Sequence, residues 1–327
     1  MARVTARDVA RAAGVSQSTV SFVLNDRPDQ TISEATRRAV LDAVRTLGYV
    51  PSGAARSLRR GRSSVVLCVI PDIPVSQAME EFRRTLSRIL GASGLTCVFL
   101  HAENGLPLGE LWPHVHPAVV LSFGGLDPAD AEHIRRTGVP LVDDLLGTMG
   151  ATITDLDQSQ IGDMQVRHLA ARGHLRIGFG AVADPREEAF CVPRLRGARA
   201  ACARLGLPAP VVAAVGYTPG SARAALGLWR GPAAAAVTGV AAFNDLVALS
   251  VLAGAADAGL AVPGDLAVVG VDDLPVAALT RPGLTTIAID AEVPATEVAR
   301  RILVEAGMPA PSGTSGPALR LVERATT

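Results

Sequence analysis

The chain has 327 residues, 49% of them hydrophobic and 19% charged, with 31 basic and 31 acidic side chains. That length divides into about two to three domains that bury their own cores, it holds no membrane-length apolar run, its charged and polar start makes a secretory leader unexpected, and the four scattered cysteines (Cys68, Cys97, Cys191, Cys202) suit a reducing cytoplasm. Every basic residue is arginine, which excludes Schiff-base, Walker and kinase-type lysine chemistry.

Charge is unevenly spread along the chain. Residues 1–62 carry 11 arginines against 5 acids (Asp8, Asp26, Asp29, Glu34, Asp42), a net of +6, and residues 63–327 carry the other 20 against 26, a net of −6. A small basic head on an acidic body suits a polyanionic partner for the head. Within it, Thr5 with Asp8 three residues on forms a capping-box start, Val9, Ala10 and Ala13 share a helical face, and Gly14 stops the helix. Ser16 caps a second helix, Gln17 to Leu24, with Val20, Val23 and Leu24 inward. Ser33 starts a third, with Ala39, Val40, Val44 and Leu47 inward and Gly48 at its end. Helix, short glycine turn, helix is the helix-turn-helix arrangement, although a generic three-helix bundle would share it.

The wording is more specific than the pattern. VTARDVARAAGVSQSTVSFVLND, ISEATRRAVLDAVRTLGYVP and AARSL resemble the DNA-binding head of the LacI/GalR family of transcription regulators, densely over residues 4–62 and more loosely to the C-terminus. The resemblance implies that the second helix lies in the major groove of operator DNA, where Gln17, Ser18 and Phe22 read bases. Thr19, Ser21 and Asn25 then hold phosphates, and the cap residues Thr5 and Ser16 complete the DNA-facing set. Phe22 departs from the arginine many members carry, so it either packs on a thymine methyl and sugar or belongs to the helix packing. SGAARSLRRGR, residues 52–62, matches the family's hinge helix, with Leu58 as a minor-groove wedge and Arg56, Arg59, Arg60 and Arg62 around it. The family's usual asparagine is replaced there by Ser52.

From residue 65 short apolar runs alternate with helical stretches: VVLCVI (65–70), TCVFL (96–100), AVVLSF (118–123), PLVDD (140–144), RIGFG (176–180), PVVAAV (210–215), AAAVTGVAAF (233–243), LAVVGVD (266–272) and TTIAID (285–290). Helical stretches such as Met79–Leu90, Ile161–Ala171, Leu195–Leu205 and Asp245–Ala258 lie between them, and LRLVERAT returns as a last strand after the loop PAPSGTSGP. This alternation predicts βαβ units in two parallel sheets. The fold class is therefore an α/β effector domain of two Rossmann-like lobes, like a periplasmic binding protein, behind an all-α helix-turn-helix head. The expected boundaries are 1–58 for the head with its hinge, 59–64 for a linker and 65–327 for effector binding and dimerisation.

HLAARGHLRIGFG, RLRGARAACARLGL, AAFNDLVALSVL and GLAVPGDLAVVGVDDLP keep the family's second-lobe phrases, which makes Arg194, Asn244 and Asp272 the effector contacts by resemblance. A guanidinium, a carboxamide and a carboxylate suit a polyol, a nucleobase or a carboxylate. Asn244 is also placed to cap the following helix, and Asp272 to hold a turn. With no ligand, Asp272 is the expected partner of a buried Arg194. The first lobe departs from the family: PVSQAMEEF (74–82) lacks the usual aromatic pair, so few aromatic faces are expected for a sugar. Either Asp143 or Asp144 is that lobe's candidate contact, and Cys191 lies either near the ligand or in ordinary packing. Trp112 and PHVHP (113–117) read as a surface loop rather than a metal site, and GFGAVA (178–183) is an incomplete dinucleotide fingerprint. No nucleophile elbow, HExxH or paired CxxC occurs, so neither an enzyme nor a cofactor is expected. The resemblance implies a cytoplasmic repressor of a pseudo-palindromic operator, controlled by a small molecule of the sugar type. The absence of a leucine-heptad tail makes a homodimer the expectation. The rival reading is a DNA-binding protein whose lobes take no small molecule, or take another protein.

Overall fold

The computed structural model describes residues 4–24, 32–49, 63–74, 77–102, 115–124, 126–143, 157–231, 236–312 and 318–327. The chain divides into two compact units, residues 1–64 and 65–327.

In the first unit, α1 (Ala6–Ala13) begins where the Asp8 carboxylate accepts from the Thr5 backbone N–H at 2.9 Å and from its hydroxyl at 2.7 Å. Gly14 ends it in the left-handed region (φ +67°), which a residue with a Cβ adopts only with strain. The chain then turns into α2 (Gln17–Leu24), whose start is capped by the Ser16 hydroxyl accepting from Thr19 N–H at 3.1 Å. Ser33 caps α3 (Glu34–Leu47) in the same way through Thr36 N–H. Val9, Ala10, Val20, Val23, Val40 and Ala43 form the buried centre. Ala39, expected inward, is exposed, and Ala43 takes its place. The buried stripe of α3 runs through 40, 43, 44 and 47, and residue 39 stands about 100° round the helix from 40.

The second unit contains two sheets, each carrying helices. β1 (Val65–Pro71), β2 (Thr96–Ala102), β3 (Val119–Ser122) and β4 (Leu141–Val142) form a parallel sheet in the order β2-β1-β3-β4. Val66 pairs with Cys97 on one side and Val119 on the other. Residues 66, 68 and 70 face α4 (Gln77–Ala92), while 67 and 69 face α5 (Pro128–Thr137). The first face is completed by a helix from far along the chain, α10 (Glu292–Glu305), through Ala295, Val298, Ala299, Ile302 and Leu303.

The second sheet joins β5 (Ile177–Val182), β6 (Val211–Val215), β7 (Gly239–Ala242), β8 (Ala267–Val271), β9 (Thr285–Ile289) and β10 (Leu319–Val322) in the order β10-β9-β8-β7-β5-β6, with only β10 antiparallel. α6 (Gln158–Ala171), α7 (Glu188–Arg204), α8 (Pro219–Trp229) and α9 (Asp245–Asp257) alternate with these strands. The chain therefore crosses between sheets three times, over 143–157, 290–291 and 306–318. α7 begins seven residues before the expected Leu195 and holds Pro193 inside it. Pro193 lacks one N–H near the start of a 17-residue helix, and the helix continues through the gap.

α6 and α7 cross with their backbones touching. A Cβ on Gly162 would lie 1.9 Å from the Arg194 carbonyl oxygen, and one on Gly197 1.8 Å from that of Ser159. These two hydrogens-for-side-chains bring the first turn of α6 against Arg194.

Candidate functional site

Both sheets have their strand order reversing at an interior strand, at β1 between β2 and β3 and at β5 between β6 and β7. Loops at the C-terminal ends of such strands diverge and leave a crevice, the usual ligand position of open α/β sheets. Here the two crevices face one another across a single cleft. The space between its walls, counted out through the open mouth into solvent, is about 970 Å³.

Arg194, Asn244 and Asp272 all line this cleft. Arg194 is 5% exposed and rests its guanidinium 4.7 Å from the Phe243 ring centre. Its Nε donates to Gln158 Oε1 at 2.9 Å, and one terminal nitrogen donates to the Phe243 carbonyl at 2.6 Å. Burial pushes its pKa down, opposed first by the charge of Asp272. The expected ion pair between them is not formed: Arg194 takes Gln158 and the Phe243 carbonyl as partners, and Asp272 lies outside salt-bridge distance. The reason is geometric, since the α6–α7 crossing delivers Gln158 to the arginine first.

Asp272 follows β8 with φ +106°, and Asp273 follows it with φ +51°. Two successive left-handed residues with side chains cost of order 1–3 kcal/mol each and occur where a site requires them. The backbone N–H of Asp272 donates to Ile287 at 2.8 Å, and Asp273 is anchored to Arg324 at 2.6 Å. Burial raises the Asp272 carboxyl to about 6, against the opposing pull of Arg194. Asn244 caps α9, its Oδ1 accepting from Val247 N–H at 2.9 Å, while its amide donates to the Tyr217 hydroxyl at 3.1 Å. It thus faces the cleft and caps a helix at once.

Two cleft residues, Glu187 and Gln158, escape a reading of the sequence, and so does Tyr217, which is hydrogen-bonded to two of the lining residues. Glu187 is 8% exposed, closes the short 3₁₀ turn Pro185–Glu187 and accepts from the Tyr217 hydroxyl. Burial raises its pKa, opposed first by that hydrogen bond. Tyr217 gains a raised pKa from its own burial and from Glu187. Gln158 belongs to no string that marked it. The signal available was positional, because Glu187 and Gln158 each sit beside an apolar strand or the helix that follows a crossing.

The first-lobe wall differs from expectation. Phe82, at the end of PVSQAMEEF, and Phe123, just after β3, meet edge to face at 5.5 Å and both line the cleft. The missing aromatic pair is therefore replaced by one assembled from a helix and a strand end. Asp143 is not on the cleft wall, and Asp144 lies outside the described residues. Cys191 packs in the second-lobe core, and burial raises its pKa.

In the head, Gln17 and Ser18 are exposed at the start of α2, and Thr19, Ser21 and Phe22 are half-buried along it. The Ser16 hydroxyl lies 2.7 Å from that of Ser18 and 2.8 Å from that of Thr19. Thr5 is exposed and bound to Asp8, whose pKa the Thr5 hydroxyl lowers. Asn25, Ser52, Arg56, Leu58, Arg59, Arg60, Arg62, Trp112 and His114 lie outside the described residues. Among the described residues, no helix is long and apolar enough to cross a membrane.

Residues 5–52 match the family of bacterial regulatory proteins called the lacI family, and residues 166–327 match the periplasmic binding protein-like domain. The HTH-type transcriptional regulator GalR of Salmonella typhimurium is 31% identical, over 93% of this chain and 90% of its own length. The regulator CelR of Thermobifida fusca is 32% identical over 92% and 91%. Among solved structures, the lac repressor dimer bound to operator and the anti-inducer ONPF shares the fold with a TM-score of 0.78 at 22% identity, covering 99% of both chains. A CelR–cellobiose complex matches with a TM-score of 0.64 at 28% identity, covering 99% of this chain and 100% of that one. A helix-turn-helix head with capped helices, followed by two α/β lobes around a cleft, thus places the chain in the LacI family of bacterial transcription regulators.

Proposed function

We propose that this regulator represses transcription by holding a pseudo-palindromic operator as a homodimer, and that a sugar or related metabolite in the cleft sets its operator affinity. The observation carrying this reading is the convergence of Arg194, Asp272 and Glu187 on one cleft at the switch points of both sheets. The lac repressor and CelR structures, one with operator and the other with cellobiose, support it by likeness. Gln17, Ser18 and Phe22 are assigned to the bases, Thr19, Ser21 and Asn25 to phosphates, and Thr5 and Ser16 to the rest of the DNA-facing set. Arg56, Leu58 and Arg59 are assigned to the hinge. The head with its hinge occupies 1–58, the linker 59–64 and the effector and dimerisation domain 65–327. The chain acts in the cytoplasm, on DNA and without catalysing a reaction.

The cleft can control DNA binding only if the ligand's affinity differs between the operator-competent and incompetent states. The test takes an operator selected from random duplex DNA and measures its affinity with and without each compound of a metabolite set. Arg194→Ala is expected to hold the operator within about twofold of the wild-type affinity while its response to the effector weakens about 5- to 150-fold, the loss of one buried polar contact. A variant responding at wild-type effector concentrations removes the cleft from the mechanism.

A further inference from the structure

α6 carries two glutamines, Gln158 and Gln165, seven residues apart and so on nearly one face of the helix. Gln158 holds Arg194. Gln165, two turns further on, is fully buried and is not on the cleft wall. Its Nε2 donates towards three carbonyls, those of Ala242 at 2.8 Å, Val269 at 3.1 Å and Gly270 at 3.3 Å. The first belongs to β7 and the other two to β8. Its Oε1 has no hydrogen-bond partner among the described residues. A buried acceptor without a donor counts against a polar side chain, so the donor end is what a glutamine supplies here.

The amide sits where two strands part. β7 and β8 pair from Gly239 with Ala267 to Ala241 with Val269, and their ladder stops there. Beyond that point each strand keeps its other neighbour. Ala242 pairs with Gly180 of β5, and the Phe243 N–H donates to the Gly180 carbonyl at 2.8 Å. Gly270 and Val271 pair with Thr286 and Ile287 of β9. The ends of β7 and β8 therefore diverge, and the Gln165 amide joins them past the last ladder pair. Asn244 stands two residues beyond Ala242, and Asp272 two beyond Gly270. A donor with two hydrogens that spans both strands fixes the distance between these two cleft residues. An apolar side chain of equal length would fill the space but leave the strand ends unjoined.

We infer that Gln165 is a positioning residue of the effector site: from behind the cleft wall its amide clamps the parting ends of β7 and β8 and so sets the spacing of Asn244 and Asp272. With Gln158 on Arg194, one face of α6 then governs all three contacts. The inference rests on the reading of the cleft as the effector site.

The test needs no effector. In the full chain labelled with carbon-13 at the aspartate side-chain carboxyls, the Asp272 resonance is assigned by its loss in Asp272→Asn and titrated by NMR. Wild type is expected to titrate at about 6, where burial holds the carboxyl against the pull of Arg194. Gln165→Met keeps the length and removes the amide, whereas Gln165→Asn keeps the amide and retracts it. In both, the β8 end loosens and water reaches the carboxylate. Asp272 is then expected to bind its proton about tenfold or more weakly, its midpoint moving towards the ordinary carboxylate range. Gln165→Glu is the rescue. Burial and the three carbonyl oxygens keep the introduced carboxyl protonated, its O–H donates in place of the amide, and Asp272 should bind its proton within about threefold of wild type. A merely structural amide would lower the urea midpoint of Gln165→Met and Gln165→Asn and leave Asp272 titrating as in wild type, which overturns the inference. A loss in Gln165→Glu as large as in Gln165→Met overturns it too, because donation would not then set the spacing. Should Gln165→Met not fold, Gln165→Asn carries the same comparison. Failure of the cleft reading shows separately, as a normal effector response in Arg194→Ala, while the Asp272 titration reads the clamp alone.

Discussion

On the second-lobe side of the cleft, Arg194, Asn244 and Glu187 are each tied into a named hydrogen bond, to Gln158 and Phe243, to Val247 and Tyr217, and to Tyr217. On the first-lobe side, Phe82 and Phe123 belong to the core packed between the sheet and α4 and α10, and the cleft is the outer edge of that core. One wall is set by strand ends, helix caps and close backbone contact, the other by filling volume. The polar wall can therefore lose function without unfolding, because Arg194, Asn244 and Glu187 are each held by local partners. The apolar wall cannot be altered at Phe82 or Phe123 without opening a cavity in the lobe, at a cost of about 3–5 kcal/mol for a phenylalanine cut to alanine.

The scaffold beneath the polar wall is where that contrast breaks most sharply. Gly197→Val puts a branched side chain where even a Cβ would be 1.8 Å from a carbonyl oxygen. The crossing of α6 and α7 must open, and overpacking of this kind costs about 1–3 kcal/mol or more. Gln158 then moves away from Arg194, so effector response should fail together with stability. Urea denaturation monitored by circular dichroism reads the first effect and effector-dependent operator binding the second. A variant as stable as wild type would mean the helices do not touch there.

Asp245 sharpens the comparison from below. It is fully buried under the polar wall, its two oxygens accepting from the Thr286 hydroxyl at 2.6 Å and Leu274 N–H at 2.8 Å. Burial raises its carboxyl to about 7, with Asp272 and Asp273 adding to the rise. The folded state therefore binds this proton more tightly than the unfolded chain does. Between the unfolded value near 3.8 and about 7 the protein loses stability as pH rises, and above about 7 the loss is complete. Asp245→Asn removes the titration, and its amide can donate to the Thr286 hydroxyl while its oxygen accepts from Leu274. Its stability relative to wild type should thus rise by about 1–3 kcal/mol between pH 5 and pH 8. Urea unfolding at both pH values measures this, and a relative stability that does not change with pH would show that Asp245 is ionised without penalty.

How much of this was readable from residues alone follows the same divide. The three head helices and their caps were legible because Thr5, Ser16, Ser33, Gly14 and Gly48 act within one turn of where they stand. The strands were legible because parallel strands buried on both faces are continuous apolar runs. Arg194, Asn244 and Asp272 came through resemblance, and two of them stand just after a strand. Glu187, Gln158 and the Phe82–Phe123 pair were not legible. Each depends on a crossing or a helix–strand meeting between segments far apart in the chain, for which no local pattern exists. The absent Arg194–Asp272 ion pair is the same lesson: charge type suggested a partner, and the α6–α7 contact supplied another. α10 packing on the first lobe after the chain has built the second is a further case.

The smallest effect lies where the two walls are joined. Arg186 is held on its own lobe by Asp184, with its Nε 3.1 and 3.2 Å from the two carboxylate oxygens and one terminal nitrogen at 2.7 Å. Its other terminal nitrogen reaches Asp72, just past β1 on the first lobe, at 3.4 Å. The arginine is thus oriented before it meets the opposite lobe, which removes part of the entropy an exposed pair normally forfeits. Both side chains are nonetheless about half exposed, at 48% and 54%, so water and salt compete for them. Asp72→Asn should leave folding unchanged and weaken effector binding by no more than about threefold at low salt, with the difference vanishing near 1 M salt, where the screening length is about 3 Å. Titrating wild type and variant at both ionic strengths reads this directly. A larger loss that persists at high salt would mean that Asp72 acts on the ligand itself. The described first-lobe lining would then gain a charged member.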